Sequence, residues 1–170
     1  MNAMTKLKED LVGYLKEQPG LENADILIAW PSKRHMPLKA PAITVGLEGV
    51  DLTPAGLGAY LGRDGQSADL YGCAALITMR FDFFAPARES DYAPSGGLHE
   101  LYESLCAALS QSAGNLGVTR VWCDAPGWDE AANANRLTAR ASLRVALPIQ
   151  EAPGKAEQSR KFSDFTLIRS

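Results

Sequence analysis

The chain is poor in the residues on which most site chemistry depends: its 170 residues include only three cysteines and two histidines. Cys73, Cys106 and Cys123 are odd in number and widely spaced, without the short paired spacings of a zinc site or the even count of a disulfide framework. They read as reduced, mostly buried thiols of a cytosolic product. No stretch approaches the about 18 consecutive apolar residues that a membrane helix needs, and no basic segment followed by an apolar one opens the chain. Basic residues are also in deficit, with 17 Lys and Arg against 20 Asp and Glu and a net charge of −3. There is no overall positive field to hold a polyanion, so we expect neither direct nucleic-acid recognition nor membrane attachment. Internal repeats and low-complexity tracts are absent as well.

What is present is the mixture of an ordinary folded domain, 46% apolar and 22% charged. In residues 5–18, Leu7, Leu11, Tyr14 and Leu15 recur at helical spacing among charged residues, and Pro19-Gly20 stops that helix. Residues 26–30 read as a short strand, and residues 31–41 as a solvated loop with a local positive cluster. Residues 42–50 alternate as a half-buried strand does, with Ile43, Val45 and Leu47 on one face. The glycine-rich residues 53–72 read as a long connection or a loosely paired hairpin tip. In residues 73–84, Ile77, Met79, Phe81 and Phe83 share one face of a strand and Thr78, Arg80 and Asp82 the other.

A second helix follows a turn-rich segment in which Ser95 is a capping residue. Its stripe is Leu98, Leu101, Tyr102, Leu105 and Leu109, ending near Gln111. Residues 118–124 read as a strand, 125–135 as a hairpin connection and 137–147 as a long returning strand with Thr138, Arg140, Ser142 and Arg144 on its polar face. Helix, strands, helix and hairpin in that order predict an α+β fold, with two helices packed on one face of an antiparallel or mixed β-sheet. The domain spans residues 1–149. Residues 150–170 form a polar linker and an apolar C-terminal tip containing Phe162, Phe165 and Leu167, a tip expected to dock on something.

Chemistry is sparse along this frame. Any nucleophile and base pair has to run through His35 or His99, and His99 could face Cys106 on the second helix; a solvated or edge-packed histidine is the simpler reading. Asp124, Asp129 and Glu130 surround the hairpin connection without the ligand order of a calcium loop, and read as solvated turn acids. Glycines 56, 58 and 62 lack the spacing and the strand-to-helix context of a dinucleotide fingerprint. Trp122 and Trp128 read as a cross-strand pair, a cap on the core, or an anchor for a partner subunit. Arg80, Arg140 and Arg144, with Asp82, could pair with one another or with a neighbouring chain. No metal or cofactor is expected.

Several segments together carry a family resemblance. They are the first helix, Lys39-Ala40-Pro41-Ala42-Ile43-Thr44-Val45-Gly46, the glycines between 56 and 62, and Phe81-Asp82-Phe83-Phe84-Ala85-Pro86. The helix after Ser95-Gly96-Gly97, the last long strand and Phe162-Ser163-Asp164-Phe165-Thr166-Leu167 complete the set. In these the chain resembles small tail-completion proteins of prophages, similar to the tail terminators of long-tailed phages. The resemblance implies a structural protein without catalysis. Its copies form a ring, a hexamer in family terms, that caps the tail tube and meets the neck or head-connector protein. It also implies assembly in the host bacterial cytoplasm and a final place in the virion tail. The competing readings are a small hydrolase-like enzyme using His99 with Cys106 or the acids near Asp129, and a monomeric binding module around Trp128.

Overall fold

A computed structural model of the chain describes residues 3–28, 38–54, 60–63, 69–86, 97–111, 117–150 and 161–162. Two helices, α1 (Ala3–Lys16) and α2 (Leu98–Gln111), accompany the strands β1 (Asp25–Leu27), β2 (Ala42–Pro54), β3 (Tyr60–Arg63) and β4 (Asp69–Pro86). The chain continues through β5 (Val118–Cys123), β6 (Gly127–Asp129), β7 (Ala134–Gln150) and β8 (Lys161–Phe162). The sheet order is β1-β2-β4-β7-β5, with β3 attached to β4 and both β6 and β8 to β7. Only β1 and β2 run parallel; the other pairings are antiparallel, so the fold is α+β with a mixed sheet.

The alternation in β4 organises the core. Ile77, Met79, Phe81 and Phe83 are fully buried, each between an apolar neighbour from β2 and one from β7, as in Val45, Phe81 and Ala139 across one row. Leu7, Leu11, Val12 and Leu15 of α1 and Leu98, Leu105, Ala108 and Leu109 of α2 close over that face. Both helices therefore lie on one side of the sheet, as the two apolar stripes require. They also touch each other through a hydrogen bond: the Tyr14 hydroxyl donates to the Ala108 carbonyl at 2.8 Å. That carbonyl belongs to the last turn of α2, where backbone acceptors have no partner within the helix.

Two glycines are required by their surroundings. Gly20, at φ +83°, lets the turn after α1 press against α2, where a Cβ would lie 2.5 Å from the Ser104 hydroxyl. Gly117, at φ +59°, brings its backbone against Arg144 and accepts a 2.8 Å hydrogen bond from the Arg144 amide. A Cβ at Gly117 would collide with the Arg144 carbonyl oxygen.

The sheet outruns its helices. Eighteen residues of β4 span on the order of 60 Å, whereas a 14-residue helix is only about 21 Å long. Beyond the helices the β2, β3, β4 and β7 segments form a projecting arm, and Leu52, Tyr60 and Tyr71 on it are about half exposed. Tyr60 and Tyr71 face each other across the β3–β4 ladder as an edge-to-face pair with ring centroids 5.7 Å apart.

Within the expected connection over 53–72, residues 60–63 pair with 69–71 as a hairpin, because β3 resumes the ladder on β4. The first strand stops at Leu27, short of the expected end, and Trp30 lies outside the described residues. Pro148, Ile149 and Gln150 continue β7, since a proline near the end of a strand removes one amide donor without breaking the run, so the strand takes in the first residue of the expected linker. Phe162 is joined to the sheet through the Ile149–Phe162 pairing. Ser95, His35, Phe165 and Leu167 lie outside the described residues.

Removing the central ring by Phe81→Ala is expected to lower unfolding free energy by about 3–5 kcal/mol in urea titrations. Gly117→Ala, with a small apolar side chain at a positive φ, is expected to cost about 1–3 kcal/mol in the same measurement.

Candidate functional site

The face of the sheet opposite the helices carries the polar half of the same alternation. Asp82 sits in the row of Thr44 and Thr138, Arg80 in the row of Gly46, Arg140 and Trp122, and Arg136 opposite Phe84. Asp82 is the hub. Its carboxylate accepts from the Thr138 hydroxyl at 2.7 Å, from Arg136 Nη2 at 2.9 Å and from Arg80 Nε at 3.1 Å. Arg136 also reaches Asp129 through Nη1 at 2.9 Å, and Asp129 in turn accepts from the Ala132 amide.

A second cluster lies beside it. Arg140 donates from Nε to Glu48 on β2 and from Nη1 to Asp124 after β5, each at 2.7 Å. One guanidinium therefore ties together three neighbouring parts of the sheet. Below Asp82 the turn after β6 folds back over the sheet, and Phe84, Ala132 and Ala134 form a small buried cluster with Leu38 against it. The Arg136 guanidinium stands 5.7 Å from the centre of the Phe84 ring.

The charge states follow from these contacts. Burial alone would raise the Asp82 pKa, but hydrogen bonds from Thr138, Arg136 and Arg80 and the charge of Arg136 hold it below the ordinary carboxylate range. Burial opposes the charge of Arg136, and its bonds to Asp82 and Asp129 more than restore it. Arg140 is held above its ordinary value first by Asp124 and then by Glu48. Charged donors and acceptors are matched throughout, so the cluster clamps strands in register and offers no free acid or base to a substrate.

Of the pairings expected among Arg80, Asp82, Arg140 and Arg144, that of Arg80 with Asp82 is formed, whereas Arg140 binds Glu48 and Asp124 of this chain instead. Arg144 is exposed on the same face and has no ion pair among the described residues. Of the expected solvated turn acids, Asp129 is mostly covered and salt-bridged to Arg136, whereas Glu130 is exposed and Asp124, though bound by Arg140, keeps an exposed side chain. Nor are Trp122 and Trp128 a cross-strand pair, because each faces β7 in a different row, opposite Arg140 and Asn135 respectively. Trp122 is half-buried beneath the Arg120 guanidinium, 4.8 Å from its ring centre, whereas Trp128 is 52% exposed.

His99 is exposed on α2. Cys106 is half-buried, and the Tyr102 hydroxyl shares hydrogen bonds with the sulfurs of Cys106 and Cys123. Burial, with added repulsion from Cys123 and Glu103, pushes the Cys106 thiol up despite the Tyr102 contact, so the nucleophilic thiolate is disfavoured. Burial and the two sulfurs likewise raise the Tyr102 hydroxyl. Among the described residues no three of His, Cys, Asp and Glu converge as metal ligands, and no helix is long and apolar enough to cross a membrane.

Arg136 was not among the expected polar-face residues because it falls one residue before the expected start of the long strand. Carrying the alternation back from Thr138 and Arg140 puts Arg136 on the same face, which was the available signal. No family model matches the chain, and no curated protein matches it.

A folded-state pKa held down at Asp82 means that ionised Asp82 stabilises the fold above its unfolded value of about 3.9, a contribution lost as pH falls from there toward the lower folded value. Chemical denaturation of the wild type against Asp82→Asn is expected to show the stability gap shrinking through that acidic window and constant from pH 6 to 8. At neutral pH, Asp82→Ala is expected to cost about 1–3 kcal/mol, since Arg136 and Thr138 lose a partner in a half-buried site.

Proposed function

We propose that this chain is a structural assembly subunit of a long-tailed phage or prophage. In this reading its copies form a ring that caps the tail tube and joins it to the neck or head connector, in the manner of the tail-completion proteins that it resembles. Assembly takes place in the host cytoplasm and ends in the virion tail.

The supporting observation is the arm. Half-exposed Leu52, Tyr60 and Tyr71 lie on a sheet that extends past its helices, and side chains of this size gain about 1.5–3 kcal/mol each when a partner covers them. Matched ion pairs hold the register of the sheet from which that arm continues, which suits docking against repeated copies. The hydrolase-like alternative has less support, since the thiol it requires is shifted away from its reactive form and the histidine it requires faces solvent.

Negative-stain microscopy and mass photometry of the full chain are the test, alone and mixed with polymerised tail tubes of a long-tailed phage carried by the source bacterium. Rings of uniform copy number, found at tube ends only, are expected. His99→Ala and Cys106→Ala are expected to leave ring formation unchanged. A chain that neither self-associates nor binds tubes contradicts the reading.

A further inference from the structure

We propose that the open edge of β2 pairs, antiparallel, with the open edge of β5 from a second copy of this chain, with Arg120 of one copy opposite Asp51 of the other. The inference rests on the assembly reading above and names its contact surface.

Among the described residues, both edges are open over most of their length. On the side away from β4, β2 has a strand partner only at Ala42, Ile43 and Thr44, where β1 joins it. From Val45 to Thr53 no described strand covers that edge, and neither lysine nor proline interrupts it. At the other end of the sheet, β5 pairs with β7 on one side and with no described strand on the other, again without lysine or proline. Exposed edges are ordinarily blunted by such residues, by bulges or by a covering element, because their free amides and carbonyls recruit another strand; here the irregularities, between Leu47 and Gly49 on β2 and between Val118 and Arg120 on β5, flank the stretches 49–51 and 120–122 without falling inside them.

Their directions are compatible. β2 runs opposite to β4, β4 opposite to β7, and β7 opposite to β5, so β2 and β5 are themselves opposed. A neighbour placed in line with the sheet therefore presents β5 antiparallel to β2. The contact is head-to-tail: each copy offers β2 on one side and β5 on the other. Repetition of such a contact closes a ring when the rotation between copies permits.

Side chains select the register. Asp51 is exposed on the ion-pair face, in the row of Leu76 and Arg144, and has no ion pair among the described residues. Arg120 is exposed on the same face of β5, stacks on Trp122 and has no carboxylate partner among the described residues. Glu48 is already held by Arg140. Placing Arg120 against Asp51 sets Val121 against Val50 on the helix side, both half-buried and apolar, and Trp122 against Gly49, where a Cβ would meet open space. A slip of one residue turns Arg120 to the apolar face. A slip of two toward Gly49 sets Val121 against Glu48, and a slip of two toward Thr53 leaves both charges unmatched.

Charge reversal tests this by sedimentation velocity on the full chain. Asp51→Arg alone and Arg120→Asp alone each set like charges opposite one another and are expected to weaken self-association about 10- to 100-fold. Combining both in one chain, or mixing the two single variants in equal amounts, is expected to restore it, because each again supplies an opposite charge at every contact. Circular dichroism of each variant reads folding separately. Rings indifferent to either reversal, or reversals that neither route rescues, would overturn this contact while leaving the assembly reading in place. A wild-type chain monomeric at every concentration would overturn it too, and tube binding would then decide the assembly reading by itself.

Discussion

Alternation along β4 is the constraint on which the rest of this structure depends. A strand paired on both sides along most of its length has no choice of face. Ile77, Met79, Phe81 and Phe83 must point to one side and Thr78, Arg80 and Asp82 to the other. The apolar side has only one way to leave water, which is under α1 and α2. A one-residue shift against β2 or β7 would send four large side chains into solvent and bury a carboxylate, so the register of the whole sheet is tied to that row of residues.

The polar side reinforces the same register by different means. Asp82 gathers Thr138 and Arg136 from β7 and Arg80 from its own strand, and Arg140 gathers Glu48 and Asp124, so all but Arg80 are met by a partner from a neighbouring strand or turn. Exposed ion pairs taken singly contribute about 0–1 kcal/mol, but these are shared, partly buried and aimed across strands. Their main effect is to select one alignment. The consequence for function is indirect: a sheet that cannot slide is a rigid support for an arm and for two open edges.

Much of the framework was legible beforehand. Both helices follow from their stripes, and the two faces of residues 73–84 and 137–147 are those expected from alternation alone. The ends of elements were less legible. Arg136 sits on β7 because Pro86 to Phe84 of β4 extends far enough to pair with it, and nothing local in the sequence reports the length of the opposite strand. Similarly, β3 exists because β4 begins at Asp69 and supplies a ladder to residues whose glycines argue for a loop. The ion pairs of Asp124 and Asp129 were hidden for the same reason: their arginines lie on β7 and come near only when the sheet has formed.

Local order in the sequence was sufficient to determine the α+β class, the single apolar face and the placement of the helices on it, since a period of 3.6 or 2 expresses itself over a few neighbouring residues. It also determined that the chain is short of histidine, cysteine and positive charge. Which carboxylate meets which guanidinium, how far the arm reaches beyond the helices, and which strand edges stay open were decided only by tertiary structure. Those properties belong to pairs of segments distant along the chain, and a pairing between such segments has no local physical trace until the fold brings them within a few ångströms of each other.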